Sequence, residues 1–179
     1  MKREIRIAGF GGQGIILAGF IVGKAACVYG PYNAVQSQSY GPEARGGAAR
    51  SEVIISDEPI GYPRPTGVDL FVAIAQEAFD TYKGDVRPDT VVLVDPDLVP
   101  NHDLGRPVYE VRVQRIAQDL GNKIVTNIAM VGAMTGVYDL FDEEAMRKAV
   151  LDSVPKRFAE LNLNAFQKGL EAGRDARKG

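Results

Sequence analysis

Gly9-Phe10-Gly11-Gly12-Gln13-Gly14 restricts the possible folds more than any other segment, because it separates two runs of different periodicity. Before it, Glu4-Ile5-Arg6-Ile7-Ala8 alternates polar and apolar residues, the period of a strand. After it, Ile15-Ile16-Leu17-Ala18-Gly19-Phe20-Ile21-Val22 is apolar on every face, which predicts a buried helix. Strand, glycine turn and helix in that order suit a G-x-G-x-x-G loop. There the glycines let the backbone turn tightly and approach a pyrophosphate, while free N–H groups at the helix start attract its charge. With 20 glycines in 179 residues, chance alone gives about 0.2 such triplets per chain, so the strand-to-helix context carries the weight. Gly9, Gly11, Gly12, Gln13 and Gly14 are candidate ligand contacts; equally open is a loop that only serves a tight junction.

A dinucleotide site adds a ribose-binding acid about 20 residues further on. Here that region reads Ala34-Val35-Gln36-Ser37-Gln38-Ser39, without a carboxylate. A phosphate loop ending in Gly23-Lys24 is excluded, since Gly19 is one residue too close and Ala25 lacks the hydroxyl that would meet magnesium.

Further strands are expected at 34–36, 52–55, 70–74, 90–94 and 108–111. The runs at 70 and 90 are continuously apolar, as in a parallel sheet covered on both faces. Short helices fit 76–82 and 114–120, closed by Gly84 and Gly121. Residues 56–65 read as a hairpin or surface excursion. From 123 onward the pattern is helical. Thr126 or Asn127 can cap one helix, Asp142 a second, and Pro155 can open a third. The expected architecture is α/β: a doubly wound, Rossmann-like, mostly parallel sheet with helices on both faces and a helical C-terminal layer, in one domain over 1–179.

A second unusual stretch runs from Gln36 to Arg50 and mixes turn residues, uncharged donors and two arginines. It leaves a strand end, where an open parallel sheet binds ligands beside its first glycine loop. Ser39, Tyr40, Glu43, Arg45, Gly46 and Gly47 are the candidates there. Arg45 or Arg50 offers a bidentate donor to phosphate or carboxylate, and Gly46-Gly47 offers backbone N–H groups. A structural pair between arginine and Glu43 is the equally open alternative.

The usual catalytic constellations are missing. His102, the one histidine, lies in a polar loop without a nucleophile pattern around it. Asp95 and Asp97 follow a strand, where two acids without further convergent ligands more often cap a turn than hold a metal. Cys27, the one cysteine, reads as a small core residue. One thiol excludes an internal disulfide framework and any thiolate-rich metal or iron–sulfur site within the chain. With 21 basic and 23 acidic residues, no strong field exists to track nucleic acid. No apolar run reaches the roughly 18 residues of a membrane span. Met1-Lys2-Arg3, an apolar stretch and Ala25-Ala26-Cys27 imitate a lipoprotein signal, but Glu4, Gln13, Lys24 and five glycines from Gly9 to Gly19 argue against one. A reducing cytoplasm is the expected compartment. The helix at 127–138 has small residues at 129, 132, 133 and 136 and is apolar elsewhere. It therefore buries every side, either inside the chain or against another.

Five segments in order, Gly9–Gly14, Gln38–Gly47, Ser51–Ser56, Asn127–Ala133 and Leu161–Phe166, together resemble the gamma subunit of 2-oxoacid:ferredoxin oxidoreductases. The resemblance covers almost the whole chain, and the block from Ser39 to Gly47 is its most specific part. That block is closer to the 2-oxoglutarate branch than to the pyruvate branch, with branched-chain and indolepyruvate relatives similar. The resemblance implies a complex in which partner subunits hold thiamine diphosphate and the iron–sulfur clusters. Those partners decarboxylate a 2-oxoacid, pass electrons to ferredoxin and yield an acyl-CoA. It also implies that the redox cofactors lie outside this chain. The coincidence of anion-suited groups at adjacent strand ends adds the expectation that the loops at 9–14 and 39–47 form one surface facing a partner's active site, where Arg45 and the glycine N–H groups contact coenzyme A or close its entry. The rival classes are a freestanding nucleotide-binding protein and a purely assembling subunit.

Overall fold

The computed structural model describes residues 1–40 and 47–179. The elements follow the expected alternation: β1 (Lys2–Phe10), α1 (Ile15–Cys27), β2 (Asn33–Tyr40), β3 (Ala48–Ser56), β4 (Val68–Ala73), α2 (Gln76–Tyr82), β5 (Val86–Val94) and β6 (Tyr109–Glu110), then α3 (Val113–Asp119), α4 (Thr126–Val137), α5 (Glu143–Leu151) and α6 (Ala159–Lys178). The strands form one sheet in the order β2-β3-β1-β4-β5-β6. β1, β4, β5 and β6 pair in parallel, whereas β3 runs antiparallel to both β1 and β2. The sheet is thus mostly parallel, as expected. Among the described residues no helix is long and apolar enough to cross a membrane.

Alternation along the strands divides the core between two faces. Ile5, Ile7, Val53, Ile55, Leu70 and Val72 point toward α1, α4 and α5. Ala8, Phe71, Ala73, Val92 and Val94 point toward α2, where the rings of Phe71 and Phe79 stack at 5.7 Å. The α2 face also holds charge. Arg6, 4% exposed, donates from Nε to Glu52 at 2.8 Å and from Nη1 to the Tyr82 carbonyl at 3.0 Å, and it pairs with Asp85 at 2.8 Å. Glu4, 5% exposed, accepts the backbone N–H groups of Thr66 and Gly67 at 3.0 and 2.6 Å, so the 57–67 excursion closes over that end of the sheet.

α4 is enclosed within the chain, because α6 packs against it backbone to backbone. A Cβ on Gly132 would lie 2.1 Å from the Phe166 carbonyl oxygen, and one on Gly169 would lie 2.0 Å from that of Ala129. Burial of α4 against another chain is therefore ruled out. α1 departs from expectation the other way. Its residues Ile15, Ala18, Ile21, Val22 and Ala25 are buried, while Leu17 is 36% and Phe20 49% exposed, and Cys27 is exposed rather than in the core. The sheet and α5 cover one side of α1 only, and positions 17, 20, 24 and 27 recur on the other.

Capping of α4 also differs from expectation. Neither Thr126 nor Asn127 caps it; Val125 stands at the N-cap without a side-chain bond, and the Thr126 hydroxyl donates to the Lys123 carbonyl at 2.7 Å. Asp142 caps α5 as expected, accepting from Ala145 N at 2.7 Å.

Candidate functional site

The glycine loop is built by two left-handed residues and one glutamine. Gly12 and Gly14 have φ of +91° and +75°, which side chains rarely tolerate. Between them Gln13 staples the loop: its Oε1 accepts the Phe10 N–H at 2.6 Å, and its Nε2 donates to the Ile74 carbonyl just beyond β4 at 3.2 Å. Gln13 therefore bridges the carboxyl ends of β1 and β4. Because α1 follows β1 on one face and α2 follows β4 on the other, this is the switch point at which open α/β sheets bind ligands. Gly9 lies in β1, where a Cβ would collide with Gln13 Oε1 at 2.6 Å.

Asn127, 5% exposed, holds the loop from across the site, donating from Nδ2 to the Gly14 carbonyl at 3.3 Å. This bond brings the N-termini of α1 and α4 together at one cleft, each with N–H groups unused by its own helix and a positive dipole end. The cleft holds about 510 Å³. Gly12, Gln13, Gly14 and Leu17 form one wall; Lys123, Ile124, Asn127 and Phe158 form the other. One charged amine and two helix starts beside apolar walls suit an amphipathic anion. Sequence reasoning missed Asn127 and Lys123. The available signal was a polar amide at the head of an otherwise apolar helix.

The second candidate stretch leaves the sheet differently from expectation. β2 does not cross over to a parallel neighbour but returns antiparallel as β3. β3 lies between β2 and β1, so β2 and β1 still point the same way: Tyr40 and Gly9 both sit opposite Ala49. The two loops meet where Gly11 N donates to the Gly47 carbonyl at 3.2 Å. Ser39 sits opposite Arg50 in the ladder. Glu43, Arg45 and Gly46 lie outside the described residues. Among the described residues Arg50 Nε is buried without a hydrogen-bond partner, 3.8 Å from the Glu52 carboxylate that Arg6 already holds, and the guanidinium lies 5.0 Å from the centre of the Tyr82 ring.

The other titratable candidates serve the scaffold. Asp95, 1% exposed, accepts from Asp97 N at 3.0 Å and Gln114 N at 2.9 Å, so it caps both a turn and the start of α3. Burial pushes its carboxyl above the ordinary value against the pull of those amides. His102 approaches the Val99 carbonyl with Nδ1 and Glu110 with Nε2 at 2.8 Å, fastening the loop after β5 to β6. Burial opposes its charge, but these two acceptors outweigh burial and hold its pKa above the ordinary value.

Comparison with known proteins gives a consistent result. The family model described as pyruvate ferredoxin/flavodoxin oxidoreductase matches residues 4–172. The chain is 50% identical over 179 residues to the 2-oxoglutarate synthase subunit KorC of Methanocaldococcus jannaschii, across 98% of this chain and 96% of that one. It resembles the gamma subunit of a keto/oxoacid ferredoxin oxidoreductase from Geobacter sulfurreducens PCA with a TM-score of 0.90 and 46% identity, covering 98% of each. A 2-oxoglutarate:ferredoxin oxidoreductase from Magnetococcus marinus, with 2-oxoglutarate, coenzyme A and succinyl-CoA bound, matches with a TM-score of 0.85 and 26% identity. That match covers 97% of this chain but 31% of the other.

Proposed function

The chain belongs to the pyruvate ferredoxin/flavodoxin oxidoreductase family, and from that premise we propose that it is the gamma subunit of a 2-oxoglutarate:ferredoxin oxidoreductase, with residues 1–179 acting as one domain. The complex converts 2-oxoglutarate and coenzyme A to succinyl-CoA and carbon dioxide, passing two electrons to ferredoxin. The observation that carries this reading is half identity along nearly the full length of a 2-oxoglutarate synthase subunit.

The donor set of the chain does not fit the redox groups of such a complex. A cysteine-ligated iron–sulfur cluster takes four thiolates, and the sequence contains one cysteine. Among the described residues no cluster of His, Cys, Asp and Glu could hold a metal ion. Thiamine diphosphate and the clusters are accordingly assigned to partner subunits, in the cytoplasm.

The role left to this chain is to shape and close the coenzyme A entry. Gly9, Gly11, Gly12, Gln13 and Gly14 form one loop of that surface, and Ser39, Tyr40, Glu43, Arg45, Gly46 and Gly47 belong to the other. The bond from Gly11 to Gly47 supports a shared surface. Left-handed Gly12, with nothing within 4 Å of where a Cβ would sit, leaves room for close approach of an anion at the head of α1, while the space beside Gly14 is filled by Asn127. Arg45 supplies the charge.

The test is a complex reconstituted from all subunits. Turnover with 2-oxoglutarate should far exceed turnover with pyruvate; the reverse would transfer the chain to another branch. Arg45→Ala should raise the apparent KM for coenzyme A about tenfold, the effect of losing one charge-assisted hydrogen bond. An unchanged coenzyme A dependence in an intact complex would leave the chain a purely assembling role. Turnover or NAD(H) binding by the isolated chain would overturn the subunit reading itself.

A further inference from the structure

His102 is the one histidine of the chain, and each of its ring nitrogens faces an acceptor. Nδ1 meets the Val99 carbonyl, and Nε2 meets a Glu110 carboxylate oxygen at 2.8 Å. A neutral imidazole carries one N–H, so it serves one of these two and turns the lone pair of its other nitrogen toward an oxygen. The protonated ring donates to both. Only 18% of the side chain is exposed, so water has little access to replace the missing bond. The arrangement therefore asks for the imidazolium.

The surrounding charges agree with that demand. Asp103 on the same loop and Glu110 in β6 favour a positive ring. Arg106 opposes it, but its guanidinium is engaged by the Arg87 and Thr90 carbonyls. Asp80 of α2 and Lys83 just after it border the same hollow as His102 and pair with each other at 2.7 Å, which nearly cancels their effect. The ring joins two parts of the connection from β5 to β6. Before it, Gln76 exchanges two bonds of 2.9 Å with the backbone of Asn101. After it, β6 pairs with β5 over two residues only. Among the described residues, no other hydrogen bond joins 100–105 to 108–110.

We propose that His102 is a proton-operated latch: the imidazolium ties the 99–102 turn to Glu110 and holds β6 at the sheet edge, and release of one proton to solvent loosens 103–105 and 108–110. The wall of the cleft does not follow. Leu98 and Gln114 border that cleft, and Asp95 holds both, Leu98 N by its carbonyl at 3.1 Å and Gln114 N by its carboxylate at 2.9 Å. The proton thus governs the outer edge of the sheet and leaves the candidate site in place. Burial opposes the charge on His102, but the Val99 carbonyl and Glu110 outweigh it and raise its pKa. The latch is accordingly closed in full below the ordinary histidine value of about 6.5 and opens as the pH rises through the raised value of the folded chain.

The test uses the full chain, in which a single histidine gives a single Hε1 resonance. Its NMR titration should have a midpoint above about 6.5 in the wild type, and Glu110→Gln should lower that midpoint. The amide signals of 103–105 and 108–110 should move with the same midpoint, while those of Leu98 and Gln114 stay still. Hydrogen-exchange protection at 103–105 and 108–110, corrected for the intrinsic rate, should fall about fivefold between about pH 6 and pH 8.5, the effect of one hydrogen bond. In His102→Gln it should not change over that range. Should that variant not fold, Glu110→Gln, altered at a half-exposed position, carries the comparison. A midpoint at or below about 6.5, or signals at 103–110 indifferent to the titration, overturns the latch. Movement of Leu98 and Gln114 with the same midpoint overturns the division between the sheet edge and the site.

Discussion

α1 and α4 are both apolar on every face in the sequence, and the fold treats them oppositely. α4 carries small residues at 129, 132, 133 and 136, and α6 lies along that stripe at backbone contact, so eleven of its twelve residues are buried. α1 has its small residues Gly19 and Gly23 turned to the sheet, against Ser51, Gln36, Ala34 and Val53, and presents Leu17 and Phe20 to the outside. Apolar content alone therefore fixes that a helix wants cover, whereas the position of its small residues decides which side the chain itself supplies.

The largest effect should come from filling the α4 stripe. In Gly132→Ala the new Cβ meets the Phe166 carbonyl oxygen at 2.1 Å and Leu170 N at 2.8 Å, both backbone atoms of a helix that cannot rotate away. Alanine gains about 1 kcal/mol in helix propensity, against about 3 kcal/mol of overpacking, for a net loss of about 2 kcal/mol. Urea unfolding reads it directly. An unchanged midpoint would mean that α6 docks more loosely than the structure shows, and the contrast between the helices would weaken.

Much of this was legible beforehand. Every strand and helix predicted from periodicity is present, and the small-residue stripe announced a close neighbour for α4. The unread features depend on partners distant in sequence. Gly14 is clamped by Asn127, 113 residues away, and no local pattern distinguishes that amide from a helix cap. The direction of β3 was equally hidden, because a strand buried on both faces reads the same in either orientation. Cys27 and Phe20 were misplaced since apolarity says nothing of where α5 lands. In the site, the glycine loop could be read because left-handed turns demand particular residues at fixed spacing. The pairing of Arg50 with Glu52 and Tyr82 could not, since it needs β3 and α2 placed side by side.

A smaller effect is expected where α1 approaches the sheet. Gly19→Ala directs its Cβ at Ser51 Oγ, 2.0 Å away, and at Gln36 Nε2, 2.9 Å away. These are side-chain atoms that can turn aside, at the expense of the bonds from Gln36 to the Ile16 carbonyl at 2.9 Å and to Ser51 at 2.8 Å. The two bonds together contribute about 2 kcal/mol, of which the helix-propensity gain offsets about 1 kcal/mol. The net loss should be no more than about 1 kcal/mol by urea unfolding. A loss equal to that of Gly132→Ala would show that α1 is held as tightly as α4.

The smallest change isolates the outer face. Phe20 is half exposed, and Lys24 Nζ lies 5.4 Å from the centroid of its ring. Phe20→Ser should therefore alter the stability of the isolated protein by no more than about 0.5 kcal/mol, the range of exposed positions and of one exposed cation–π contact. Urea unfolding of the two proteins checks it. A large shift in the free chain would mean that Phe20 already has its cover within the fold, and α1 would then differ from α4 only in degree.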